Sequence, residues 1–173
     1  MNALPRRALI LFALFGGAVA AVPAAAANRS VYTPLDVDRC ALIERIEEGE
    51  SLRWRCPGHA GVPLYVNAGD GRFDLDAGVD NQVWESLDAF NNLGPRVEWR
   101  LRGGRPFAVI FRITLAERGL GAGDRLVVET IGRNGRPGCQ VALVDARRRD
   151  ANEEARRIAD ALPAGHRCPR PAA

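Results

Sequence analysis

The sequence predicts an α+β fold: a mainly antiparallel sheet of about six to eight strands with a C-terminal helix packed on it, tied by two disulfides. Three features predict it. The stretch from Val97 to Ala146 reads as a succession of apolar strands, the densest in the chain, and a single well-patterned helix follows it. Four cysteines, an even number, stand in a chain whose N-terminus has the composition of a secretory leader.

The leader is residues 1–27. Arg6 and Arg7 precede an apolar run from Ala8 to Val22, which ends in Pro23 and alanines that suit a signal peptidase. Cleavage is placed after Ala27, with Ala20 and Ala24 also suitable, and a retained anchor is the alternative. The run is short for a membrane span and broken by Gly16 and Gly17, so no stable span is expected once the signal is removed. Residues 28–173 are then a single α+β domain, periplasmic or secreted. Two of the 24 basic residues and none of the 21 acidic ones lie in the leader, leaving 22 against 21. That near-neutral balance gives no reason to expect a nucleic-acid partner. Every basic residue is Arg and none is Lys, for which we have no physical account.

Taken in order, Asn28 to Pro34 reads as a loose leader to the domain. Cys40–Glu47 and Ser51–Cys56 read as a hairpin around an acidic turn, Glu47 to Glu50. Leu52, Trp54 and Cys56 alternate with Arg53 and Arg55, so one face packs and the other is wet. Val62–Asn67 and Arg72–Asp76 form a second hairpin, because Asp70-Gly71 tolerates the positive φ of a tight turn. Trp84, Leu87, Phe90 and Leu93 recur at spacings of three, which predicts a short helix over Val83–Asn91, stopped by Asn91, Asn92 and Gly94-Pro95. Val97, Trp99 and Leu101 alternate with charged residues in a half-buried strand. Phe107 to Leu115 puts Phe107, Val109, Phe111, Ile113 and Leu115 on one face and Ala108 and Ile110 on the other, which places it inside the sheet. Arg125–Ile131 and Cys139–Asp145 follow, separated by the turn signals Asn134-Gly135 and Pro137-Gly138. Asp150, with Glu153 three residues on, predicts a capping box for a helix over Asn152–Leu162. Its stripe of Ala151, Ala155, Ile158, Ala159 and Leu162 suits close packing on a sheet.

Sequence order favours Cys40 with Cys56 and Cys139 with Cys168 among the three connectivities that four cysteines permit. The first bridge would close the open end of a hairpin and contribute about 3 kcal/mol. A zinc site from Cys56, His59, His166 and Cys168 would need reduced thiols, so structural disulfides are the better reading. Asp70, Asp74, Asp76 and Asp80 lack the spacing of a calcium loop and read as a solvated hairpin. No metal, cofactor or catalytic residue is assigned: no serine sits in a nucleophile elbow, no C-x-x-C is present, and the glycine clusters lack a phosphate-loop context. Candidate anion-binding residues are Arg53, Arg55, Arg100 and Arg102, with Arg112 beside them, provided that their strands share a sheet. The alternative is a solvated face on which Glu98 and Glu129 neutralise them. Arg147, Arg148 and Arg149 read as a wet loop.

The segments Tyr32-Thr33-Pro34-Leu35-Asp36, Arg55-Cys56-Pro57-Gly58, Val62-Pro63-Leu64-Tyr65-Val66 and Gly138 to Ala146 resemble a family of short exported proteobacterial proteins with no assigned activity. That resemblance implies an envelope location and carries over no functional residue. The region Cys56 to Asp76 is similar to small periplasmic lysozyme inhibitors in having a cysteine followed by two strands. The expected function is a non-enzymatic binding or interaction domain for an envelope protein or small ligand. The alternative is a small envelope hydrolase using His59 or His166 with nearby carboxylates.

Overall fold

The computed structural model describes residues 27–46, 51–81, 84, 90–115 and 123–169. The leader up to residue 26, the acidic turn at 47–50 and most of the helix expected at Val83–Asn91 lie outside them. The described residues form the expected α+β fold, with nine strands in two antiparallel sheets. The four-stranded sheet runs β2 (Ala41–Ile46), β3 (Ser51–His59), β4 (Val62–Gly69), β5 (Arg72–Ala77) in simple hairpin order. The five-stranded sheet runs β1 (Arg29–Pro34), β6 (Asn91–Arg102), β7 (Arg105–Leu115), β8 (Arg125–Thr130), β9 (Gln140–Asp145). Helix α1 (Ala151–Ala161) follows.

Strand alternation builds three layers. Val97, Trp99 and Leu101 of β6, Val109, Phe111 and Ile113 of β7, and Val127 of β8 point one way and meet Leu64, Val66 and Leu75 of the four-stranded sheet. The intervening Ala108, Ile110, Leu126 and Val128 point the other way and meet Ala151, Ala155 and Ala159 of α1. The five-stranded sheet is therefore buried on both faces, as the two-sided apolar pattern of β7 predicts. Alanine on the helix side lets the helix backbone approach the sheet closely. Trp99, fully buried, donates its indole N–H to Thr33 Oγ1 at 2.8 Å, so its polar edge is satisfied.

Both disulfides pair as sequence order favoured, Cys40 with Cys56 and Cys139 with Cys168, with Cα separations of 4.5 and 5.7 Å. The first joins the ends of the β2–β3 hairpin. The second ties the segment after α1 to the start of β9. Asp70-Gly71, with φ of 49° and 67°, makes the β4–β5 turn as expected.

Five expectations change. Arg29–Pro34 is a strand and not a loose leader: it pairs with β6 from Arg29↔Leu101 to Pro34↔Arg96, with Val31 against the core. Asn91 and Asn92 do not stop a helix but begin β6, and Gly94-Pro95 falls in a bulge between Leu93 and Val97. Phe107 packs on the helix side instead of sharing the Val109 face, because the β6–β7 register slips between Arg100 and Leu101, opposite the start of β7. Asp150 occupies the N-cap position of α1 without a side-chain cap bond, since Arg148 Nε and Nη2 hold its carboxylate at 3.0 and 2.7 Å. Asp74 and Asp76 are buried, at 3% and 2% exposure, where a solvated hairpin was expected. They lie in line with Asn67 and Tyr65 on the outer face of the four-stranded sheet, and the segment after β5 folds over them: the Asn81 N–H donates to Asp76 at 3.2 Å.

The outer edge of β5 is closed by the other sheet. Asn91 accepts from Phe73 N–H and donates its own N–H to the Gly71 carbonyl, each at 3.1 Å. At the far end the Ala77 N–H donates to the Glu129 carboxylate at 3.1 Å, and Gly132 N–H donates to the Ala77 carbonyl at 2.8 Å. A strand edge that would otherwise offer free backbone groups is thus sewn to β6 and β8.

Candidate functional site

The helix-facing side of the five-stranded sheet carries a row of polar residues set by register. Ser30 pairs with Arg100 and Tyr32 with Glu98 across β1 and β6, and Glu98 pairs with Ile110 of β7. Helix α1 lays Asn152, Arg156 and Asp160 beside that row. Those three residues are four apart and form one stripe next to the alanine stripe. Arg100 is gripped at both ends: Nε and Nη2 meet the Asp160 carboxylate at 3.0 and 2.5 Å, and Nη1 donates to Ser30 Oγ at 2.6 Å. Arg156 Nε donates to Glu98 at 2.6 Å and its Nη2 to the Tyr32 hydroxyl at 2.8 Å. Ser30 also hydrogen-bonds Glu98. Bonding to Glu98 raises Arg156 above the ordinary arginine range, so it stays charged at any working pH.

Beyond the Arg156–Glu98 pair the surface opens into a cleft of about 330 Å³. Ile110 and Leu126 contribute an apolar floor, and Tyr32, Asn152, Arg96, Arg112 and Arg156 supply hydrogen-bond donors around it. The bulge in β6 shapes one wall. Gly94 is buried against Arg112, where a Cβ would stand 3.0 Å from that residue's Cβ, so a side chain at position 94 would crowd the approach of β6 to β7. The charges do not cancel. Glu98 offsets Arg156, and Asp124 lies 3.2 Å from Arg112, but among the described residues no carboxylate pairs with Arg96. The cleft therefore has a surplus of positive charge over an apolar base.

The residues singled out in the sequence lie elsewhere. Arg53 and Arg55 belong to the four-stranded sheet and Arg100 and Arg102 to the five-stranded one, so the four do not form one patch. Arg53 meets Glu44 at 2.6 Å, Asp80 at 3.2 Å and Asn67 at 3.0 Å. Arg55 is exposed. Arg102 lies over the Phe107 ring at 4.3 Å and donates to the Asp160 and Leu162 carbonyls, which closes the C-terminal end of α1. The neutralising face expected of Glu98 and Glu129 is not solvated: both are buried, and they lie on opposite faces of the sheet. Only Arg112, on the margin of that candidate set, lines the cleft.

His59 packs its ring against Trp99 with centroids 6.0 Å apart, and His166 lies in the exposed segment after α1, so the two histidines serve different parts of the fold. Cys56 and Cys168, which a zinc site would need, are each held in a disulfide, with Cys40 and Cys139 respectively. Arg96 and Arg156 were missed because nothing local marks them. The available signal was the Asn152, Arg156, Asp160 stripe beside the alanines, together with the charged alternation of Glu98, Arg100 and Arg102 on a strand that must face something.

Comparison with known protein families, curated proteins and solved structures finds no match for this chain. Its function has to rest on the chemistry of the cleft. Among the described residues no helix is long and apolar enough to cross a membrane, and the two disulfides fit an oxidising environment.

Proposed function

We propose that the chain is an exported, periplasmic or secreted, non-enzymatic binding domain that holds a small organic anion in the cleft between β6, β7 and α1. The observation that carries this is the convergence of Arg96, Arg112 and Arg156 over the apolar floor of Ile110 and Leu126. The volume is at the small end of the range for ligand pockets. An acid head group would take the Arg96 and Arg112 guanidiniums, which match a carboxylate with paired N–H donors, while an apolar body lies on Ile110 and Leu126. Tyr32 and Asn152 add neutral partners at the rim. The leader composition, the disulfides and the resemblance to short exported proteobacterial proteins support the location.

Thermal melts with benzoate, hexanoate, succinate and inorganic phosphate test the reading. Benzoate or hexanoate raises Tm in a concentration-dependent way, because a ligand that binds only the folded state stabilises it by mass action. Phosphate, with no apolar body, raises it less. Arg96→Gln and Arg112→Gln remove the rise while leaving the unliganded Tm close to wild type. An unchanged Tm with every carboxylate at millimolar concentration, or an equal rise in both variants, defeats the proposal.

A further inference from the structure

Away from the cleft, four segments meet at one end of the molecule and carry an unusual charge pattern. They are the start of β1, the β6–β7 turn at 102–107, the β8–β9 connection at 131–139 and the segment after α1 at 162–169. They are bound to one another: Arg29 lies opposite Leu101, Ile131 N–H donates to the Phe107 carbonyl at 3.3 Å, Arg133 donates to the Pro106 carbonyl, Arg102 donates to the Leu162 carbonyl at 3.0 Å, and the Cys139–Cys168 disulfide joins the last two segments. Together they contain Arg29, Arg102, Arg105, Arg133, Arg136 and Arg167 and not one Asp or Glu.

Elsewhere many arginines meet carboxylates: Arg53 with Glu44, Arg112 with Asp124, Arg147 with Asp145 and Arg148 with Asp150. At this end Arg105, Arg133, Arg136 and Arg167 are exposed and, among the described residues, none has a carboxylate partner. The surrounding chain is nearly neutral, so the surplus is local. We propose that this end docks the protein on an anionic phospholipid surface.

Shape and composition favour a broad surface over a small molecule or a nucleic acid. The guanidiniums flank the tight turns at Gly103-Gly104 and Asn134-Gly135, which have positive φ and are exposed, with no neighbour within 4 Å of where a Cβ would stand on any of the three glycines. Exposed turns that carry guanidiniums can meet an extended plane of phosphates. Of the two aromatic rings in these segments, Phe107 lies beneath Arg102 and only His166 is exposed, so there is no series of aromatic faces on which successive bases could stack. Each guanidinium close to an anionic surface strengthens binding by about fivefold, and several acting together give reversible, salt-sensitive attachment.

The test is sedimentation of the full chain with phosphatidylglycerol-containing vesicles and with neutral phosphatidylcholine vesicles. The leader, Arg6 and Arg7 included, is the same in every variant, so the change in the difference between the two vesicle types isolates the contribution of the substituted arginines. Two variants remove equal charge: Arg105, Arg133, Arg136 and Arg167 to Gln, and the exposed Arg39, Arg45, Arg55 and Arg149 to Gln. The first loses at least about tenfold of the preference for anionic vesicles and the second less than about threefold. Equal losses, or retained preference in the first variant, overturn the proposal. So does tighter binding of a single-stranded oligonucleotide than of vesicles at the same phosphate concentration, which would assign the patch to nucleic acid. If the first variant fails to fold, the wild type alone decides: its anionic preference must collapse as salt rises from about 0.1 to about 0.5 M, and a salt-insensitive preference defeats the proposal.

Discussion

Asp145, the last residue of β9, accepts three hydrogen bonds from one residue: Arg147 N–H and Nε meet Oδ1 at 3.0 Å each, and Nη2 meets Oδ2 at 2.7 Å. The Arg147 side chain, then its backbone N–H, hold the Asp145 carboxyl well below the usual carboxylate range. A carboxyl depressed in the folded state contributes stability that is present above its unfolded pKa and is lost as pH falls through the folded value. In a carbon-detected NMR titration Asp145 therefore stays ionised after ordinary surface acids have protonated, and Arg147→Ala moves its midpoint up toward them. The pair lies at the surface, where solvent screens it, so Arg147→Ala scarcely changes Tm. Titration of Asp145 together with the ordinary acids would show that the interaction does not persist in solution. The same local logic explains the absent helix cap: Arg148 claims the Asp150 carboxylate, which then no longer serves the first turn of α1.

At the scale of elements, α1 is held by close approach and by ion pairs, and these have different consequences. Ala155 is fully buried in the middle of the alanine stripe, facing Ile110, Leu126 and Val128. Ala155→Leu inserts three heavy atoms where none fit, which costs about 1–3 kcal/mol in a packed interface. It also lifts Arg156 from Glu98, so urea denaturation shows the lost stability and the benzoate-induced Tm rise falls with it. A variant with wild-type stability would mean that the helix is loosely seated. Much of this layer was legible in the sequence, because the alanine stripe and the two-sided apolar pattern of β7 each demand a partner and can only satisfy one another. Strand β1 was not legible: six residues ending in proline form a strand only because β6 extends far enough to pair with them. Nor was the cleft, since Tyr32, Arg96, Arg112 and Arg156 come from four elements and are brought together by register and by a bulge at Gly94-Pro95 that no local pattern announces. The buried Asp74 and Asp76 escaped for a similar reason, as their cover comes from the segment after β5.

At the scale of the whole molecule, the described residues form two hydrophobic cores with one sheet between them. The inner core uses Val109, Phe111 and Val127, and the helix-side core uses Ala108, Ile110, Leu126 and Val128, so the two clusters are opposite faces of the same strands, β7 and β8. Neither layer can separate without exposing residues on the strands that the other requires. The seams reinforce this: Asn91 and Glu129 bind the edge of β5 to the five-stranded sheet, and Cys139–Cys168 binds the end of α1 to β9. Unfolding is therefore expected as one cooperative transition with both disulfides intact, with tryptophan fluorescence and far-UV circular dichroism superimposing. Phe111→Ala, which empties the inner core at the sheet centre, costs about 3–5 kcal/mol and lowers the single Tm by about 10–15 °C. The decisive readout is amide exchange in that variant. Because β7 carries both cores, protection in α1 falls by the same free energy as protection in β4, although Phe111 lies on the face away from the helix. Loss confined to the four-stranded sheet would show instead that the layers open independently.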